Sequence, residues 1–209
     1  MNVCSFTKGI SLGVVIVAGL FVLLFFTFPY IYLASENSNF AELRKKSELN
    51  CDKMPLHCFV RDEKVDEIER YASEGQDLEI RDNWGRTALF WAANQNKPLM
   101  VSKLLDLNAN PNTKEGNGRS LFYQLVARGQ YELASELLDN GADIDVFNGT
   151  EYPETTLHYC VMRNNKECVG YLLDHGANKY LRDAFGYTVF DRVRVHDHIS
   201  HGVGRLLKK

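Results

Sequence analysis

The sequence predicts an all-α solenoid of about four helix-turn-helix repeats with hairpin loops and a C-terminal cap, preceded by a single transmembrane helix. The main observation is a recurring string, found at Met54-Pro55-Leu56-His57, Thr87-Ala88-Leu89-Phe90, Thr156-Leu157-His158 and Thr188-Val189-Phe190-Asp191. Its apolar residue supplies five register marks at intervals of 33, 33, 35 and 33 residues: Leu56, Leu89, Phe122, Leu157 and Phe190. A unit that cannot bury its own apolar face must stack on a copy of itself, so this period predicts a solenoid that binds rather than catalyses.

The N-terminus predicts a membrane anchor, with a tail at residues 1–9 and a transmembrane helix at residues 10–34. No charged residue occurs between Gly9 and Ser35, and this stretch exceeds the ~20 residues that a helix needs to cross a bilayer. A cleaved signal peptide is the alternative, but its apolar core is usually only ~7 to 15 residues long. Tyr32 is also too large for the small-residue position before a cut at Ala34. We therefore expect a single-pass membrane protein.

Two arguments about the orientation of this anchor disagree. Arg44, Lys45, Lys46 and Lys53 follow the span and only Lys8 precedes it, which favours a cytoplasmic repeat domain. A short N-terminal tail followed by an anchor usually stays inside in bacteria, which favours a periplasmic repeat domain. Our expectation is a bacterial inner-membrane protein with periplasmic repeats, and the cytoplasmic orientation is the alternative.

Residues 35–48 predict a linker and a capping helix. Asn39 and Glu42 have the spacing of a capping box, and Phe40 and Leu43 follow on one helical face. Such a helix would cover the open apolar end of the first repeat, as solenoids require. A loose tether is the alternative.

Residues 49–209 predict the repeat domain itself. A residue that tolerates a left-handed backbone stands nineteen positions past each of the first four marks: Gly75, Asn108, Gly141 and Gly176. Between the register mark and the C-terminal cap residue, apolar residues recur in two short runs with helical spacing. The segment between the two runs contains Pro98 in one repeat, and proline suits the first position of a helix. Each unit is therefore predicted to be helix, turn, helix and polar hairpin.

These features resemble the ankyrin repeat. The matching segments are Gly85-Arg86-Thr87-Ala88-Leu89, Asn140-Gly141-Ala142-Asp143-Ile144-Asp145 and His175-Gly176-Ala177-Asn178. In that family the Thr and His of a T-x-L-H string stiffen the turn into the first helix. The resemblance assigns this role to Thr156 and His158, since Phe90 and Tyr123 replace the histidine elsewhere. The 35-residue interval places two extra residues in the hairpin between residues 148 and 154, and a cap begins near Tyr180.

The cysteines leave the compartment open. Cys160 and Cys168 occupy apolar register positions, so the simplest interpretation is a pair of buried thiols. Cys51 and Cys58 could form a disulfide in an oxidising compartment, although the sequence does not decide this. No Cys-x-x-Cys pair or spaced Cys/His quartet indicates a zinc site.

The sequence does not predict an enzyme, a cofactor, a metal site or a small-molecule substrate. His196, Asp197, His198 and His201 could suggest a metal site, but they fall in the terminal cap, where a solvated helix explains them better. No phosphate loop or nucleophile elbow occurs. The net charge of −3, without a basic stripe along the repeats, argues against nucleic acid as a partner.

The resemblance implies that hairpin tips and first helices line a concave face that holds a protein partner. Counting from the marks nominates three columns on this face, at five residues before, two after and six after each mark. The chosen partner-binding residues are Trp84, Trp91, Gln124, Arg128, Tyr152, Tyr159, Arg163 and Phe185. Trp, Tyr and Arg dominate interface energetics, which supports the choice. Tip aromatics that only pack locally are the competing interpretation.

The functional hypothesis is a membrane-tethered protein–protein interaction module. A sharper version is an immunity protein that neutralises a secreted toxic effector such as a lipase. The alternatives are an anchored helper in bacterial oxidative-stress defence and a cytoplasm-facing membrane adaptor. Each of these versions depends on analogy at the level of the fold.

Overall fold

The computed structural model describes residues 50–208, which form short helices in antiparallel pairs. In chain order these are α1 (Pro55–Arg61), α2 (Val65–Ser73), α3 (Ala88–Asn94), α4 (Pro98–Asp106), α5 (Leu121–Ala127), α6 (Tyr131–Asp139), α7 (Thr156–Met162), α8 (Lys166–Asp174), α9 (Val189–Val195) and α10 (His201–Leu207). First helices pack on first helices and second helices on second helices along the stack. The predicted helical solenoid is therefore confirmed.

The predicted membrane helix at residues 10–34 and the predicted capping helix within residues 35–48 lie outside the described residues. Between residues 50 and 208, every helix is too short or too polar to cross a bilayer. The anchor therefore stays a prediction from the sequence.

The register marks occupy the same place in every repeat, as the second residue of the first helix. Leu56, Leu89, Phe122 and Leu157 are buried, whereas Phe190 in the last described helix pair is half-buried. The four predicted C-terminal caps have positive φ angles, 72° at Gly75, 64° at Asn108, 87° at Gly141 and 84° at Gly176. The predicted period and helix ends are confirmed.

A hydroxyl side chain caps the N-terminus of each first helix except α1. These residues are Thr87, Ser120, Thr155 and Thr188, and each accepts a hydrogen bond from the backbone N–H three positions later. The prediction that Thr156 plays this part is wrong, because Thr156 is already the first residue of α7 and Thr155 precedes it. Met54 stands at the equivalent place before α1 and makes no side-chain cap bond.

Two buried histidines join neighbouring repeats. His57 Nε2 lies 3.0 Å from the carbonyl oxygen of Arg86, and His158 Nε2 lies 3.0 Å from that of Tyr187. His158 Nδ1 also lies 2.8 Å from the Thr155 hydroxyl. Burial lowers the pKa of both imidazoles below 6.5, and the carbonyl contact only partly opposes this effect. Both rings are therefore structural links, as the resemblance implied.

The extra residues of the 35-residue interval lie in a hairpin, as predicted. Strand β1 (Phe147–Asn148) pairs with strand β2 (Glu154–Thr155) in antiparallel register, Phe147 opposite Thr155. The other three hairpins are closed by a tighter turn, in which a backbone N–H donates to the carbonyl four residues later. These bonds are Asp82 to Arg86, Glu115 to Arg119 and Asp183 to Tyr187.

The core runs continuously through the stack and includes a cysteine pair. Cys160 and Cys168 are buried and joined as a disulfide, with Cα atoms 5.7 Å apart. The expectation of free thiols is therefore wrong, because α7 and α8 bring the two side chains into contact within one repeat. In the preceding repeat, the same two register positions are held by Leu125 and Leu133, both buried.

We predict that Leu137→Ala destabilises the fold by about 2 to 5 kcal/mol, because it leaves a cavity in a fully buried site on α6. Urea unfolding followed by circular dichroism measures this change. Leu99→Ala is the matched control, since Leu99 on α4 is 67% exposed and its loss should change stability by no more than about 0.5 kcal/mol. Equal effects of the two substitutions would contradict the register.

We also predict that the two linking histidines make stability fall below neutral pH. Their folded pKa values are lowered, so the unfolded chain binds more protons once the pH falls through 6.5. Their contribution is complete above pH 6.5 and is lost as the pH falls toward the folded values. The nearby carboxyls of Asp82 and Asp183 have pKa values lowered below 3.8 and stay ionised at pH 5.5.

The measurement is the thermal midpoint at about pH 7.5 and 5.5. The comparison is the double variant His57→Phe with His158→Tyr, which uses the residue types found at positions 90 and 123 of the neighbouring repeats. The midpoint of the parent should fall more between the two pH values than that of the variant. The same fall in both proteins would show that these imidazoles are not the cause.

Candidate functional site

We define the hairpin face as the surface formed by the hairpins and the first helices of the repeats. Of the predicted tip aromatics, Trp84 is 38% exposed, Tyr152 63% and Phe185 59%. Tyr152 and Phe185 stack with ring centroids 5.4 Å apart and planes 6° from parallel. Trp84 instead packs under the Arg86 guanidinium, 4.5 Å from its ring centre. Tip residues of the fourth and fifth repeats therefore form one exposed aromatic pair, and Trp84 is separate.

The predicted partner-binding side chain two residues after each register mark has a structural role in most repeats. In the second, third and fifth repeats this side chain donates a hydrogen bond to an acidic side chain nine residues earlier in its own hairpin. The bonds are Trp91 Nε1 to Asp82 at 3.1 Å, Gln124 Nε2 to Glu115 at 2.6 Å and Arg192 Nε to Asp183 at 2.6 Å. We call each of these bonds a helix-to-hairpin tether. Trp91 and Gln124 thus hold the hairpin as well as lying on the candidate face.

Two of the tethering carboxylates are buried and strongly paired. Asp82 forms an ion pair with Arg86 at 2.6 Å, and Asp183 forms one with Arg192 at 2.5 Å. Burial by itself would raise the pKa of each carboxyl. Hydrogen bonds from the arginine and from backbone N–H groups outweigh burial and lower both pKa values below 3.8. Both hairpins are therefore held by ionised carboxylates at neutral pH.

The first repeat has a covalent counterpart of the tether. Cys58 lies two residues after the first mark, and it forms a disulfide with Cys51, seven residues earlier, across a Cα separation of 5.7 Å. This disulfide fixes the chain that enters α1, whose N-terminus lacks a side-chain cap bond. The sequence left open whether Cys51 and Cys58 form a disulfide, and in the structure they do.

The fourth repeat forms no tether of this kind. Asn148 stands where the other hairpins have an acid, and its side chain accepts a hydrogen bond from Ser120 N at 2.8 Å and donates one to Val146 O at 2.9 Å. It is buried and turned toward the third repeat. Tyr159, two residues after the mark, packs edge-on against Tyr123 with ring centroids 4.9 Å apart. The hairpin insertion therefore changes which side chains the first helix presents.

Two arginines flank this tyrosine pair. The Arg119 guanidinium lies 5.8 Å from the Tyr123 ring centre, and that of Arg163 lies 5.5 Å from the Tyr159 ring centre. Both separations permit cation–π attraction. We call Arg119, Tyr123, Tyr159 and Arg163 the arginine–tyrosine cluster. Arg119 and Arg163 are exposed, and neither forms an ion pair with any residue that the structure describes.

A half-buried carboxyl, that of Glu154 on β2, lies within electrostatic range of this cluster. Burial raises its pKa above 4.5, and the attraction of Arg192, Arg119 and Arg163 does not offset this. Across residues 50–208 it has no ion-pair partner within 4.0 Å. The cluster therefore keeps its cations unpaired although a carboxyl is nearby.

The remaining predicted residue, Arg128, bridges two repeats. Its guanidinium donates to Asn94 at 2.7 Å in the second repeat and to Gln124 at 3.2 Å in its own repeat. Arg128 is exposed, and within the described residues it has no carboxylate partner. It adds a third unpaired cation to the hairpin face.

The histidines of the terminal cap have structural contacts. His198 Nε2 lies 3.1 Å from the Met162 carbonyl oxygen, and its ring lies 5.5 Å from that of His196. Over residues 50–208, no three His, Cys, Asp or Glu side chains are arranged to hold a metal ion. A surface depression of about 550 Å³ lies between α8 and α10, lined by Lys166, Glu167, Gly202, Arg205 and Leu206, none of them a candidate residue.

Sequence reasoning missed Arg119, Tyr123, Glu154 and Arg192. Arg192 is two residues after the fifth mark, so extending the same column by one repeat would have found it. Tyr123 was noted only as a replacement for histidine. Arg119 and Glu154 carry no signal in a single sequence, because their importance comes from the contact between two repeats.

Comparison with known proteins gives one family and several partial relatives. The family described as ankyrin repeats (3 copies) matches residues 31–115 and 95–183. A mitochondrial disaggregase of Bos taurus is 34% identical over 140 residues, which covers 62% of this chain and 19% of the relative. An L-asparaginase of Dirofilaria immitis is 30% identical over 138 residues, 64% of this chain and 22% of the relative. The NF-kappa-B inhibitor delta of Mus musculus is 34% identical over 88 residues, 42% of this chain and 27% of the relative.

The matched region thus spans about a fifth to a quarter of these relatives, two of which are named as a disaggregase and an asparaginase. Ankyrin repeats therefore occur in proteins with enzyme names as well as in an inhibitor. The family match covers more than half of this sequence, and it agrees with the stacked helix pairs and with their 33-residue period. The chain belongs to the ankyrin repeat family.

Proposed function

We propose that this protein is a non-enzymatic, membrane-tethered module that binds a protein partner through its hairpin face. The observation that carries the proposal is the concentration of aromatic and arginine side chains on that face. The Tyr152–Phe185 stack and the arginines Arg119 and Arg163 are exposed, and Arg119 and Arg163 flank a buried Tyr123 and a half-buried Tyr159. Exposed Tyr, Trp and Arg side chains on a rigid support are typical of interface hot spots. Ankyrin repeats generally mediate protein–protein interaction, which supports the same conclusion.

The tether in this proposal is the charge-free segment at residues 10–34, which is long enough to span a bilayer. We further propose that the repeats face an oxidising compartment, such as the bacterial periplasm. Cys51 pairs with Cys58 and Cys160 with Cys168, and disulfides persist mainly outside the cytosol. The cytoplasmic orientation, suggested by basic residues after the span, is the competing proposal.

A sharper proposal is an immunity protein that neutralises a toxic effector delivered to the cell envelope. It combines the proposed membrane position with the proposed binding face, and its support is analogy at the level of the fold. A helper in oxidative-stress defence would use the same surface. The product of the neighbouring gene is the most direct indicator, since a secreted toxin or a catalase would separate these two versions.

We predict that a photo-crosslinking amino acid at position 185 captures a partner in cells that make the full-length chain. Phe185 is 59% exposed on the hairpin face, so a bound protein would lie within reach of the probe. The matched control is position 99, where Leu99 is 67% exposed on α4. Adducts are detected by immunoblotting and their partner is identified by mass spectrometry.

The proposal expects one dominant adduct at position 185 and none at position 99. Absence of adducts at positions 84, 152 and 185 together, or equal capture at position 99, would contradict binding through the hairpin face. Capture of a toxin would assign the immunity version, and capture of a catalase would assign the stress-defence version. Capture of a cytoplasmic protein would assign the adaptor version.

We predict that Cys51 and Cys58 are oxidised in the native membrane. Cells are treated with a membrane-permeable, mass-adding maleimide after acid quenching, with and without prior reduction. In a periplasmic domain the full-length chain gains mass at these residues only after reduction. The Cys51→Ser with Cys58→Ser variant is the control that assigns the gain. Labelling of both residues without reduction would favour the cytoplasmic orientation.

A further inference from the structure

The hairpin face of the third and fourth repeats presents exposed arginines although the chain as a whole is acidic. The chain carries a net charge of −3. Helices α3, α5 and α7 contain no Lys, Arg, Asp or Glu, and α5 and α7 are each followed directly by an exposed arginine, Arg128 and Arg163. On the other side of the third repeat, α6 carries Glu132, Glu136 and Asp139 and no cation. The first helices of these two repeats therefore end at cations, whereas the second helix of the third repeat carries only anions.

Eight other cations among residues 50–208 form ion pairs, whereas three arginines of this face do not. Arg86 and Arg192 are paired with buried aspartates on the hairpin face, and Lys97 and Lys103 are paired with glutamates of the first repeat. Arg119, Arg128 and Arg163 have no ion-pair partner among residues 50–208. An exposed arginine with its donors available suits a carboxylate, which it can bind through two parallel hydrogen bonds.

The cause of this arrangement is the fourth hairpin. The Asp82–Trp91 and Asp183–Arg192 tethers place an acid directly on the first helix, but Asn148 takes the acid's place in the fourth repeat and turns to Ser120. Tyr159 then lies against Tyr123, between two guanidinium groups. A half-buried tyrosine with exposed cations on both sides of the pair fits an extended acidic segment that carries apolar or aromatic side chains.

We propose that the arginine–tyrosine cluster, with Arg128, is the recognition site for an acidic segment of the protein partner. This inference rests on the proposed function, since it names the chemistry of the partner for the same face. Charge complementarity is the argument for an acidic occupant. Nucleic acid is disfavoured because the net charge of the chain is −3 and the neighbouring helix α6 carries three acidic residues and no cation, so counterion release would be small.

The test uses the full-length chain in a neutral detergent and a fluorescein-labelled peptide that alternates glutamate with tyrosine. Anisotropy is measured in about 50 mM and about 300 mM NaCl, since binding through exposed charges must weaken with salt. A peptide that alternates lysine with tyrosine and an oligothymidylate of similar length serve as comparison probes. We expect the acidic peptide to bind more tightly than both.

Two double variants separate a specific site from general attraction. Arg119→Gln with Arg163→Gln should weaken binding of the acidic peptide by about tenfold or more. Arg70→Gln with Arg205→Gln removes the same charge from α2 and α10 and should leave the affinity within about twofold. Thermal midpoints of both variants verify that they fold.

Equal weakening by the two arginine pairs would overturn the proposal, because it would show attraction without a site. Tighter binding of the oligothymidylate than of the acidic peptide would overturn it in favour of nucleic acid. Crosslinking at position 185 separates this inference from the proposed function. If it captures a partner, and the arginine variants bind that partner as well as the parent chain does, the acidic-segment inference fails while the proposed function stands.

Discussion

The structure depends on the stacking of each first helix against the next. The register marks Leu56, Leu89, Phe122 and Leu157 are buried at these junctions, and no helix of seven residues could be stable alone. Stability therefore comes from the contact between copies rather than from any one repeat. This constraint explains why the apolar positions are so regular and why the surface positions are free to differ.

The hairpins are positioned by a second, polar set of contacts whose chemistry changes from repeat to repeat. Trp91, Gln124 and Arg192 use hydrogen bonds to an acid, and Cys58 uses a disulfide. One geometric need, to hold the chain that precedes a first helix against that helix, is thus met by indole, amide and guanidinium groups and by a disulfide. The same register position can therefore be structural in one repeat and available to a partner in another.

The fourth repeat shows the consequence for function. Its longer hairpin places Asn148 against the third repeat and leaves Tyr159 to pack on Tyr123. Arg119 and Arg163 beside this pair have no ion-pair partner among residues 50–208, while Arg192, which takes the register position of Tyr159 in the fifth repeat, is bound to Asp183. A two-residue insertion in a surface hairpin leaves the core intact and alters the local charge, which is how loops on a rigid support acquire binding roles.

The sequence by itself determined the repeat period, the helix pairs, the positive-φ caps such as Gly75 and the place of the hairpin insertion. All of these follow from local rules of hydrogen bonding and apolar spacing that act within one repeat. It assigned the cap of α7 to Thr156 instead of Thr155, because a one-residue shift between two adjacent threonines leaves the apolar pattern unchanged. It also left the pairing of Cys51 with Cys58 undecided and interpreted Cys160 and Cys168 as buried thiols.

Only the tertiary structure decided which surface residues act together. Tyr123 and Tyr159 are 36 residues apart in sequence, as are the second-helix groups Ser135 and Tyr171, whose hydroxyls lie 3.0 Å apart. The nearness of Glu154 to Arg119 and Arg192 likewise exists only once neighbouring repeats stack. A periodic sequence specifies equivalent positions but not their partners, because side-chain contacts across a junction depend on the size and charge of both repeats.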